Sequence, residues 1–167
     1  MTVSRFLLLL AAALLGAVLV LVLTGDRLPE LTGERLAEAR ARWAAQAPAS
    51  YRLALEMTGS ELERGLCEVK VEKGEVVAAS RDGRVIERDT ELYAVPGLFT
   101  LLQRELEMAN DPRQAQAPAG YRVYVFARFD RRMGTPLRFR RVIGGSSRWA
   151  EWRVTALEVA SPPADGH

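Results

Sequence analysis

The chain has one histidine, His167, at its last position, and one cysteine, Cys67. A general base must sit within hydrogen-bond reach of the group it serves. The polar tail that carries His167, with Pro162 and Pro163, offers no such register. Ser/His and Cys/His nucleophile pairs are therefore argued against. No CxxC, HExxH or phosphate-cradling GxxxxGK[ST] appears, and no spacing gathers three or four metal ligands. The sequence predicts no enzyme, no metal and no cofactor. Carboxylate pairs stay open in a chain with 21 acidic residues, and a hydrolase would show itself as a cleft gathering two or more acids with strongly perturbed titration.

Two other features could carry chemistry. Cys67 alternates in phase with Val69 and Val71, which predicts a buried, reduced core thiol, with a cross-link between two copies as the alternative. The second is a basic and aromatic strand face. Arg122, Tyr124, Phe126 and Arg128 fall on one side of a period-two stretch, and Arg138 and Arg140 repeat the pattern in the next. Guanidinium groups beside aromatic rings hold anions or an acidic protein, or rest on lipid headgroups. The plainer reading is a solvated face whose long arginine stems cover the rings. From Tyr121 to Arg153, nine arginines stand against Asp130 and Glu151 alone, the one polarised region of the chain. Overall charge is nearly balanced, at +2, so no nucleic-acid partner is expected.

The elements that must position these residues follow from periodicity. Thr32 can cap a helix that carries Leu36, Ala39 and Trp43 on one side and the Glu34, Glu38, Arg42 charges on the other, with Pro48 ending it. Tyr51 to Met57 alternates as a half-buried strand, Cys67 to Glu72 as a second, and Lys73-Gly74 turns into a third at Glu75 to Ser80. Asp82-Gly83 is a second hairpin signal, leading to a strand at Arg84 to Arg88. A helix opens at Pro96 with an apolar stripe of Leu98, Phe99, Leu102, Leu106 and Ala109, and stops at Asn110-Asp111-Pro112. Strands over Tyr121 to Phe129, Leu137 to Ile143, and around Trp152 to Ala156 close the domain.

Ahead of this domain, Phe6 to Leu23 runs eighteen residues without a charge or a side-chain hydrogen-bonding group. As a helix it would span roughly 27 Å, matching one bilayer crossing. Val22 and Leu23 are too bulky for a signal-peptidase site, which favours a retained anchor over a cleaved signal. Arg5 and the amino terminus before the run, and Asp26, Arg27, Glu30 and Glu34 after it, predict that the following domain faces away from the cytoplasm. The fold class expected is α+β: one N-terminal transmembrane helix, then a small domain with an antiparallel sheet of about five or six strands packed against one or two helices. The divisions expected are an anchor at 1–25, a linker and helix at 26–48, an extracytoplasmic domain at 49–160 and a disordered tail at 161–167.

The order of the Tyr51 strand, Cys67-x-Val69-x-Val71, the Gly74 turn with Val76-Val77, Val95-Pro96-Gly97-Leu98-Phe99, Phe129-Asp130, Gly134-x-Pro136 and Trp152-x-Val154 resembles a family of small bacterial extracytoplasmic domains, domain of unknown function 6174. The resemblance covers roughly Trp43 to Val159 and implies a lipoprotein or secreted protein, with no activity, cofactor or ligand to carry over. Two positions depart from the family pattern. Gly65-Leu66-Cys67 stands where a Cys-x-Cys pair is usual, and Thr135 where an aromatic precedes the proline. The expectation is a single-pass inner-membrane protein with an extracytoplasmic binding or scaffolding domain, its candidate partner face formed by Arg122, Tyr124, Phe126, Arg128, Arg138 and Arg140. The partners expected are the membrane and a protein or anionic envelope polymer. A structural accessory subunit of a membrane complex is the alternative, and a hydrolase comes third.

Overall fold

A computed structural model describes residues 28–62, 64–111 and 121–160. Thr32 begins the first helix as its sequence requires, its hydroxyl accepting from the Arg35 N–H at 3.3 Å. This helix, α1 (Gly33–Gln46), ends two residues before Pro48 and buries Leu36, Ala39 and Trp43. Glu38 and Arg42 pair at 3.5 Å on its outer side. Four strands follow: β1 (Tyr51–Gly59), β2 (Gly65–Glu72), β3 (Glu75–Arg81) and β4 (Arg84–Val85). Both hairpin signals are used, since Lys73, Gly74, Asp82 and Gly83 all take positive φ, as two-residue turns between right-twisted strands demand.

A short 3₁₀ turn (Thr90–Tyr93) leads into α2 (Val95–Asn110), with Pro96 in its first turn. The chain then forms β5 (Val123–Phe129), β6 (Pro136–Ile143) and β7 (Trp149–Val159). All seven strands join one antiparallel sheet in the order β4-β3-β2-β1-β7-β6-β5. Two meanders thus meet at the β1–β7 pairing, and α2 carries the chain from one edge to the other.

The core lies between one sheet face and the two helices. Leu36 and Trp43 from α1 and Leu98, Phe99 and Leu102 from α2 meet Tyr51, Leu53, Val69, Val125, Phe139 and Trp152 from the strands. Cys67 belongs to the same core and is fully buried and free. Tyr51 also ties the layers together, because its hydroxyl accepts from the Val95 N–H at 3.1 Å and so caps the start of α2. Burial is the main cause that raises the titration of this phenol, opposed by that hydrogen bond. Gly134 takes φ +76, and a Cβ there would lie 2.1 Å from the Ala39 carbonyl oxygen. Only glycine lets α1 approach the β5–β6 connection this closely.

Two parts of the sequence expectation are corrected. The sheet has seven strands instead of about five or six, because every one of the seven period-two stretches joins it; the Arg84–Arg88 stretch does so as a two-residue β4 that pairs only with Ser80 and Arg81 before the chain turns towards α2. Among the described residues no helix is long and apolar enough to cross a membrane. The fold described is therefore the sheet-and-helix domain without a transmembrane element. The anchor expected at residues 1–25 and the tail at 161–167 lie outside the described residues.

Candidate anion-binding face

Side chains alternate across a strand, so β6 sends its arginines to opposite sides. Arg138 and Arg140 stand on the open face, away from the helices, while Arg141 is on the helix side with Phe139 and Ile143. Strand register then builds rows across the open face. Arg128 of β5 is opposite Arg138 of β6, which is opposite Arg153 of β7, which is opposite Glu56 of β1. The next row is Phe126, Arg140, Glu151 and Thr58, and the one beyond it Tyr124, Val142 and Trp149.

Like charges directly opposite one another destabilise a sheet. Here three arginines share a row, and Glu151 moderates the cost. Its carboxylate accepts from Arg138 Nε at 2.7 Å and lies 3.8 Å from both Arg140 and Arg153. Arg138 and Glu151 are nearly buried, with side chains 15% and 10% exposed, while Arg140 and Arg153 keep about half their surface open, at 47% and 54%. Arg140 also lies 5.7 Å from the Trp149 ring centroid, a distance at which the ring attracts the cation. Counting Arg122, just ahead of β5, five arginines stand against Glu30, which pairs with Phe126, Glu56 and Glu151, an excess of two positive charges.

The six residues singled out by sequence are brought to one end of the sheet. Arg122, Tyr124 and Arg140 are exposed, Phe126 and Arg128 half-buried, and Arg138 is largely taken up by Glu151. Sequence reasoning missed Glu151, Arg153 and Trp149 as members of this face. Their period-two spacing on β7 was visible, but their neighbours were not until β7 was placed beside β6.

The helix side holds a second cluster. Arg141 donates to both Glu105 oxygens from α2, at 3.2 and 3.0 Å, and to Glu61 from the β1–β2 loop at 2.6 Å. Arg148 pairs with the other Glu61 oxygen. Glu61 is held there because the Ser60 and Glu61 N–H groups both donate to the Trp149 carbonyl, at 2.9 and 3.3 Å. Gly59 makes the approach possible, since a Cβ on it would lie 2.6 Å from that same oxygen. Burial holds the Glu105 carboxyl above the ordinary glutamate range, with Glu61 adding to the rise while Arg141 opposes it. The two carboxylates are bridged by one guanidinium, an arrangement that fixes α2 and the loop to the sheet.

Among the described residues no three His, Cys, Asp or Glu side chains gather where they could hold a metal ion. A shallow trough of about 630 Å³ lies over β1–β3, and its rim sets Arg52 and Lys70 against Glu68 and Glu158. That rim is balanced in charge, unlike the β5–β7 end. No protein-family model matches the chain, nor does any curated protein.

Proposed function

We propose that this chain is a non-catalytic binding module of the bacterial cell envelope, placed outside the cytoplasm, whose open β5–β7 face takes an acidic or anionic partner. The observation that carries this reading is the in-register row Arg128, Arg138 and Arg153, with Arg140 beside it, Glu151 among them and Glu56 at the row's end. A row of like charges does nothing for the fold that a mixed row would not do better. Departures from locally favourable choices concentrate at functional sites. The aromatic row of Tyr124 and Trp149 adds planar surface on which a guanidinium-bound group can rest. The resemblance to domain of unknown function 6174 and the location at the inner membrane belong to the same proposal.

Retention on immobilised heparin in low salt tests the face. R140E/R153E is expected to elute at clearly lower salt than wild type. A matched reversal at exposed arginines elsewhere, R64E/R84E, is expected to move elution much less. Equal shifts for the two double variants would refute the site.

A further inference from the structure

The outer edge of β5 is not open. Leu31 N–H donates to the Val125 carbonyl at 2.8 Å, Ala127 N–H donates to the Pro29 carbonyl at 3.0 Å, and Glu30 pairs antiparallel with Phe126. Residues 29–31 are thereby stitched to the strand that carries Phe126 and Arg128. The pairing also fixes a direction. As the chain is followed from Leu31 back to Pro29, its partners on β5 climb from Val125 to Ala127, so the chain at Leu28 heads towards the Arg128 end of the sheet. That is the end where Arg128, Arg138 and Arg153 form their row.

Only residues 24–28 separate this seat from the apolar run that ends at Leu23. Five residues reach at most about 18 Å when fully extended. A chain held in a bilayer through residues 6–23 therefore cannot carry the arginine row far from the lipid surface, and part of that distance lies within the roughly 8–10 Å over which surface charge is felt in physiological salt. Charge complementarity and the amphipathic rings Tyr124 and Trp149 both suit the headgroup layer.

We infer that the open β5–β7 face docks on the anionic headgroups of the same bilayer that the apolar run enters, so that the domain lies down on the membrane. This rests on the proposed envelope location and names the partner that the face takes.

The test uses the full chain in nanodiscs of phosphatidylcholine alone or mixed with phosphatidylglycerol, each doped with lipid carrying a nitroxide on its headgroup. Of the three tryptophans, Trp43 and Trp152 are buried and Trp149 is half-buried on the face in question, and the apolar run contains none. Docking predicts quenching of Trp149 fluorescence in the anionic discs, its loss in about 0.5 M NaCl, and its loss in R140Q/R153Q, whose unchanged thermal unfolding shows that the domain is intact. Equal quenching in neutral and anionic discs, or none in either, overturns the docking while leaving the envelope location standing. Retention on heparin without quenching points to a soluble polyanion or acidic protein and also overturns it. A chain that fails to enter discs of either composition overturns the location and the docking together.

Discussion

The two sides of β6 put the same side chain to different ends. On the helix side, Arg141 and Arg148 meet Glu61 and Glu105, two positive charges against two negative, and Arg141 is only 16% exposed. On the open side, Arg138, Arg140 and Arg153 share one glutamate. Low-dielectric surroundings make an unpaired charge expensive, so the inner cluster is balanced and acts as a clamp. Water and counterions tolerate imbalance outside, and the outer cluster keeps a surplus that a partner can use. The difference teaches that arginine content says little about function until the side of the strand and the company of each guanidinium are known.

The sharpest way to break this comparison is to remove the inner arginine. Arg141→Met takes the guanidinium away from Glu105 and leaves Glu61 with Arg148 alone, and is expected to cost about 3–5 kcal/mol of stability, read from urea denaturation. If the loss is under 1 kcal/mol, the inner cluster is not a clamp.

Removing the outer acid should separate stability from binding. Glu151→Gln keeps an acceptor for Arg138 but loses the charge, for an expected cost of about 1–2 kcal/mol. Its retention on heparin should rise because the surplus grows. Weaker retention in a folded variant would contradict the role given to Glu151.

Titration sharpens the contrast further. Glu105 is held above the ordinary value of 4.5, chiefly by burial. The native state then keeps its proton at pH values where the unfolded chain has lost it, so this group's contribution is full below 4.5 and is lost as pH rises through the raised value. Glu105→Gln should flatten that decline in unfolding free energy measured from pH 4 to 7. An unaltered slope would place the pH dependence elsewhere.

The smallest stability effect belongs to the outer face. Arg140→Gln is expected to change stability by no more than about 0.5 kcal/mol while lowering heparin retention. A larger loss of stability would mean that Arg140 serves the fold.

Much of the fold was legible in the letters because local periodicity reports which side of an element is buried. The alternation at Tyr51–Met57 and at Cys67–Val71 placed Tyr51, Leu53, Leu55, Cys67, Val69 and Val71 in the core, where they are found, with Met57 partly buried against it. The β6 arginines were legible only in part. Period two put Arg138 and Arg140 together, but it also leaves Arg141 in phase with Phe139 and Ile143, an apolar series in which a charge has no place without partners. Those partners come from α2 and from the β1–β2 loop, and no local pattern names them.

The sequence by itself determined most elements of the sheet-and-helix domain, the Thr32 cap of α1 and the two tight turns, because these depend on residues within a turn or two of one another. Tertiary structure alone decided which charges meet. Glu61 reaches Arg141 across 80 residues and Arg148 across 87, and Arg153 joins Arg138 only because β7 lies between β1 and β6. Strand order is set by how two meanders bury their apolar faces against the same pair of helices. That is a global minimum over non-local contacts, and the balance of charge on either side of the sheet follows from it.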